Sequence, residues 1–217
     1  MLAQRRRVVV PGDRLRRWLD GYHENHPHIS ARLADDMVVL RSPDDATAWI
    51  SVPFPPLVAP GGDAVSAPGG DVVSALVAHV EKSRRVGVLL VRRGGYAAGV
   101  FAGSALVASK VGAGYVQGTT KAGGWSQKRY ARRRDNQARE AFQAAAEAAV
   151  RVFTASPCEA LVVGGDRAAL DAVLADPRLG GLRPRLTGPL LNVADPRLRV
   201  LRQTPQQFLG VRIELLP

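Results

Sequence analysis

A sixteen-residue run, Gly112-Ala-Gly-Tyr-Val-Gln-Gly-Thr-Thr-Lys-Ala-Gly-Gly-Trp-Ser-Gln127, holds five glycines and no periodic apolar positions. Such a loop can enter a narrow space without side-chain clashes. Its polar groups, Gln117, Lys121, Ser126 and Gln127, and its rings, Tyr115 and Trp125, are the ones that could do chemistry. The familiar phosphate motifs do not fit. Gly112-x-Gly114 follows a predicted strand, as a dinucleotide fingerprint would, but that fingerprint opens a helix at once and none starts here within ten residues. Gly118-Thr-Thr-Lys121 does not supply the GxxxxGK[ST] of a P-loop. Gly124-Trp-Ser126-Gln-Lys128 is similar to a nucleophile elbow whose last glycine is replaced. The four histidines, His23, His26, His28 and His79, all precede the loop by more than thirty residues, so a Ser-His pair has no support. His23, His26 and His28 have the spacing of a metal cluster or of a polar helix end.

The residues after the loop carry charge. A helical pattern is predicted from about Lys128 to Thr154, with Tyr130, Ala138, Phe142, Ala145, Ala149, Val152 and Phe153 as its core-facing stripe. Lys128, Arg129, Arg132, Arg133 and Arg134 crowd its first turns. Cations there oppose the helix macrodipole, so the cluster asks for an external anion, and RNA phosphates would supply one. Asp135 is the sole acid between Gly112 and Arg139. The formal net charge of +11 and the pI near 10.9 also favour a polyanionic partner, against the alternative of a merely solvated basic surface.

The elements that must position this loop are legible in outline. Val8 to Val10 reads as a strand, and Gly12 to His26 as a helix with Leu15, Trp18, Leu19 and Tyr22 on one face. Ile29 to Leu40 and Ala46 to Val52 can pair as strands. A Pro- and Gly-rich stretch over 53–70 reads as a linker, so residues 1–52 are expected to form a small α+β subdomain and residues 71–217 the catalytic domain. In the latter, Asp71 can cap a helix with Val72, Val73, Leu76, Val77 and Val80. Three β-type runs follow, Val86 to Arg93, Gly95 to Ala102 and Ala105 to Val111, separated so briefly that they predict an antiparallel meander. Beyond the long helix come a strand at Ala160 to Val163, a helix at Asp166 to Ala175 and a last strand at Val211 to Leu216. Cys158 is the only cysteine, which excludes an internal disulfide and a zinc ribbon. The apolar run near Met1 is too short for a signal segment and no run is long enough to span a membrane, so a cytoplasmic location is expected.

The order of meander, Gly-Gly loop ending in Gln, basic long helix, strand, helix and strand resembles the middle domain of eukaryotic and archaeal class-1 release factors. The string Lys121-Ala-Gly-Gly-Trp-Ser-Gln-Lys-Arg-Tyr-Ala-Arg-Arg-Arg-Asp-Asn136 resembles more closely the Vms-like release factors of actinobacterial type. For the fold, the resemblance implies an α/β (α+β) architecture with an RNase H-like mixed sheet and flanking helices. For the function it implies a peptidyl-tRNA hydrolase that frees nascent chains on stalled ribosomes or large subunits, with peptidyl-tRNA and ribosomal RNA as partners and no DNA, metal or cofactor. Gln127 would be the catalytic residue, at the end of a mobile loop formed by Gly123, Gly124, Trp125 and Ser126. Lys121, Lys128, Arg129, Arg132, Arg133 and Arg134 would hold RNA phosphates, and Trp125 or Tyr115 would stack on a base. The family's uninterrupted Gly-Gly-Gln is broken here by Trp125 and Ser126, which leaves Gln117 as a competitor. Two other readings stay open: an RNA endonuclease, although Asp135 alone is a poor metal site, and a non-catalytic ribosome-binding factor.

Overall fold

The computed structural model describes residues 5–58, 69–92, 94–113 and 125–216, with the backbone alone at 69–71 and 125–135. In chain order the elements are β1 (Arg6–Pro11), a 3-10 turn (Gly12–Arg14), α1 (Leu15–Asn25), β2 (Ser30–Ala34), β3 (Met37–Arg41), β4 (Thr47–Ser51) and α2 (Gly69–Glu81). Then follow β5 (Arg85–Arg92), β6 (Gly95–Ala102), β7 (Ala105–Ala113), α3 (Trp125–Ala155), β8 (Ala160–Gly165), α4 (Arg167–Leu174), a second 3-10 segment (Pro177–Arg185), α5 (Leu198–Gln203), α6 (Pro205–Phe208) and β9 (Gly210–Leu216). They divide into a first unit, Met1–Ser83 with Gln206–Pro217, and a second, Arg84–Pro205.

The first unit is built on a five-stranded sheet in the order β1-β9-β4-β3-β2, antiparallel throughout. Its register puts Val10, Val211, Ile213, Ile50, Ala48, Val38 and Leu40 on one face, because Val10 opposes Val211, Ile50 opposes Ile213, and Val38 opposes Ile50. Leu15 and Leu19 of α1 and Val72, Leu76 and Val77 of α2 cover that face. Two expectations are corrected here. The run Ile29 to Leu40 is not one strand but two, turning at Asp35-Asp36 with Ala34 opposite Met37. Asp35 adopts φ +50°, a left-handed geometry that Asp tolerates without the glycine that usually announces such a hairpin. The division at 52/71 is also displaced. The helix expected to open the catalytic domain, and the last strand expected to close it, both belong to the first unit. The physical reason is that α1 is too short to cover five strands, so α2 completes the cover, while β9 fills the gap between β1 and β4. Of the expected linker, residues 59–68 lie outside the described residues, and Leu57 is buried in this core.

In the second unit β5, β6 and β7 form the predicted antiparallel meander, and β8 lies parallel to β5, giving the order β7-β6-β5-β8. This is a mixed sheet with flanking helices, as expected. Strand β5 is buried along its whole interior, which requires cover on both faces. On one face Leu89, Val91, Ala98 and Val100 meet Ala145, Ala149, Val152 and Phe153 of α3 and Leu170 and Val173 of α4. Gly87 on this face is confined, since a Cβ there would stand 2.7 Å from Cys158 Sγ. On the other face Leu201 of α5 comes so near that a Cβ on Gly99 would lie 2.9 Å from it. Among the described residues no helix is long and apolar enough to cross a membrane.

Candidate functional site

Strand β7 leads the chain into the glycine-rich loop and α3 takes it up again. Residues 114–124 lie outside the described residues, and with them Tyr115, Gln117, Lys121, Gly123, Gly124 and the expected mobility of the loop. Helix α3 begins at Trp125, three residues before the predicted start, so Trp125, Ser126 and Gln127 form the opening of the helix instead of the end of the loop. None of the three is a helix breaker, so nothing in their residue types opposes this. The glycine-rich, largely polar run that precedes them extends the loop reading to Gln127.

This shift changes what the backbone at Gln127 can do. As the third residue of α3 its N–H has no intrahelical carbonyl to bond, since the first four amides of any helix are left open. Those amides and the positive end of the macrodipole point toward whatever anion approaches the helix start. No acid stands in the first turn, while Lys128, Arg129, Arg132, Arg133 and Arg134 all fall within its first three turns. Among the described side chains, burial along α3 falls in its C-terminal half. The fully buried Ala145 lies about 27 Å along the axis from Gln127, at 1.5 Å per residue. Of the predicted stripe, Ala145, Ala149, Val152 and Phe153 are buried and Phe142 packs against the core, while the Tyr130 side chain is outside the described set. The described core contacts of α3 thus come from its C-terminal half, and the basic segment lies toward its other end.

Other reactive groups have structural partners. Burial pushes the Cys158 thiol above its usual range, which keeps it protonated and poorly nucleophilic. In the first unit, His26 Nδ1 stands 3.1 Å from Asp44 Oδ2, and His79 Nε2 lies 2.8 Å from the carbonyl of Pro53. Sequence reading treated Tyr22 as part of an apolar stripe and missed that it lines a cavity with Arg6 and His26. The spacing of rings at Trp18, Tyr22 and His26 was the available signal, since residues four apart share a helix face.

The family model described as "Actinobacteria/chloroflexi VLRF1 release factor" matches residues 84–214, more than half of the chain. The chain belongs to this family. The resemblance drawn from the loop and the basic helix is thereby established, and it ties the chain to the release factors of translation. The match to this release-factor family opens at the first residue of the second unit and runs into β9. Among solved structures, the chain is similar to the archaeal translation termination factor aRF1, at 14% identity and a TM-score of 0.39, over 94% of this chain and 66% of that one. It is also similar to a structure described as an archaeal protein, at 15% identity and a TM-score of 0.37, over 91% of this chain and 62% of that one. The chain thus spans just under two thirds of the length of each. No curated protein matches it.

Proposed function

We propose that the chain is a peptidyl-tRNA hydrolase that releases nascent chains on stalled ribosomes or large subunits, with Gln127 as its catalytic residue. The observation that carries this reading is Gln127 in the first turn of α3, just after a Gly-Gly pair and just before a run of cations, in a chain of a release-factor family. The ester linking peptide and tRNA is already activated relative to an amide, so few groups are needed. Water must be held against the carbonyl carbon, and the oxyanion that forms must be stabilised. The Gln127 side chain orients the water, and its open backbone N–H donates to the oxyanion. When the tetrahedral intermediate collapses, the bond to the terminal ribose oxygen breaks, the peptide leaves as a carboxylic acid, and a proton passes to the tRNA oxygen through the neighbouring 2'-hydroxyl. Lys121, Lys128, Arg129, Arg132, Arg133 and Arg134 hold phosphates of the acceptor stem or of ribosomal RNA. Trp125 stacks on a base.

The test is incubation with purified stalled ribosome–nascent-chain complexes, with peptidyl-tRNA, intact tRNA and cleaved tRNA resolved on one gel. Free peptide with intact tRNA is expected, whether or not a chelator is present. Cleaved tRNA would indicate an endonuclease, and binding without either product a non-catalytic factor; both results would overturn the proposal.

A further inference from the structure

A second place in the molecule has chemistry that the release reaction does not use. In the first unit a cavity of about 710 Å³ is lined by Arg5 and Arg6, by Tyr22 and His26, and by Ala46, Leu215 and Leu216. That volume is in the range of cavities that hold whole small molecules, and is much larger than one anion requires. Three observations say what would fill it. First, Arg6 has no ion-pair or hydrogen-bond partner among the described residues. Its strand neighbours Arg5 and Arg7 share Glu214, at 3.6 Å and 2.8 Å, but alternation along β1 turns Arg6 to the opposite face of the sheet. Second, the Tyr22 hydroxyl is buried with no hydrogen-bond partner among the described residues, and burial together with the nearby Asp44 pushes its pKa up, so it stays a neutral donor. Third, the wall is apolar and aromatic. Trp18 stacks on Tyr22 with centroids 5.3 Å apart, and Tyr22 meets the His26 ring at 4.6 Å. The acidic neighbour Asp44 is already engaged by His26, Ser42 and the Ala46 amide.

We propose that this cavity binds a nucleotide, its phosphate held by the Arg6 guanidinium and the Tyr22 hydroxyl and its sugar and base against the wall formed by His26, Ala46 and Leu215. Arg presents a planar fork of donors suited to phosphate, and cations interleaved with rings are the chemistry by which proteins hold nucleotides. The nucleotide can be free or part of an RNA strand. The strand is favoured by position, because Arg6 stands on β1, an edge of its sheet, and points to the cavity face.

The test titrates the full-length chain with AMP, adenosine and a 5'-phosphorylated RNA tetranucleotide, following the NMR signals of the Tyr22 ring and His26 so that RNA bound at α3 is not counted. Saturable shifts with AMP are expected, with adenosine at least about tenfold weaker. Arg6→Gln should weaken AMP about tenfold, as the loss of one charge-assisted bond does, and Tyr22→Phe several-fold. Tyr22→Phe keeps the ring that stacks on Trp18 and removes an unsatisfied hydroxyl, so it should fold normally, and unchanged signals from Val38 and Ile213 would verify that for both variants. A tetranucleotide that binds more tightly than AMP assigns the site to an RNA strand, and equal affinities assign it to a free nucleotide; either supports the site. Absence of saturable shifts at Tyr22 and His26, equal binding of adenosine, or indifference to Arg6→Gln would overturn it.

Discussion

At the scale of single residues, Gln127 and Asp176 carry sharp expectations. Replacing Gln127 by Ala removes the side chain proposed to orient water but leaves the helix and its cations, so binding should hardly change. Release from stalled complexes should fall by roughly two to three orders of magnitude, the usual loss for one group of an oxyanion site. A wild-type rate in that variant, or an equal loss in Gln117→Ala with Gln127→Ala silent, would remove Gln127 from the mechanism. Asp176 offers a check on the structure itself. It caps the segment Pro177–Arg185 by accepting from the Arg178 amide at 2.9 Å, and it also binds the Arg178 guanidinium at 2.7 Å. These bonds hold its carboxyl down at about 2, against an ordinary 3.8. Because the folded value is depressed, the stabilisation is present above the unfolded pKa and fades as pH falls from about 4 through about 2. A carbon-detected titration should find the Asp176 midpoint near 2 and see it rise toward 3.8 in Arg178→Ala. An ordinary midpoint in the wild type would mean that the cap is not formed in solution.

At the scale of elements, α3 joins two tasks in one rod. Its C-terminal half contributes Ala145, Ala149, Val152 and Phe153 to the core, and its first turns carry charges that an isolated helix would disfavour. Were Arg132, Arg133 and Arg134 only a solvated face, salt would act weakly on binding. If all three contact phosphate, changing them to Gln should flatten the slope of log affinity against log salt by about two to three units for ribosomes or tRNA. Filter binding between low and moderate salt measures this, and an unchanged slope would assign the arginines to solvent. The start of α3 also shows where composition misleads. The glycine-rich, largely polar run from Gly112 to Gln127 reads as loop up to about Lys128, yet α3 includes Trp125, Ser126 and Gln127.

At the scale of the whole molecule, the chain begins and closes in the same unit. Strand β9 sits between β1 and β4 and buries Val211 and Ile213 completely, so the stability of the first unit depends on residues more than 150 positions from its other strands. Ile213→Ala should destabilise that unit by about 2–5 kcal/mol, the range for emptying a buried aliphatic site. The second unit, whose core contains no residue of β9, should keep its own transition. Denaturant unfolding read separately at Trp49 in the first unit and by amide exchange at Leu89 in the second would distinguish this from a general loss. Equal destabilisation of both would contradict the division.

By itself the sequence determined the type of nearly every element, the meander, and the junction of Gly-Gly loop, glutamine and basic helix that places the chain among release factors. These are local properties: a short, β-branched apolar run between turn residues marks Val86 to Arg93 as strand, the 3.6-residue stripe marks α3 as helix, and two-residue separators force neighbours to pair. Only the tertiary structure decided that α2 and β9 belong with the first unit and that Arg6, Tyr22 and His26 share a cavity. An apolar face such as that of Leu76 and Val77, or an alternating pair such as Val211 and Ile213, states that something must cover it. Which sheet does so depends on complementarity between segments far apart in the chain, and no local pattern carries that information.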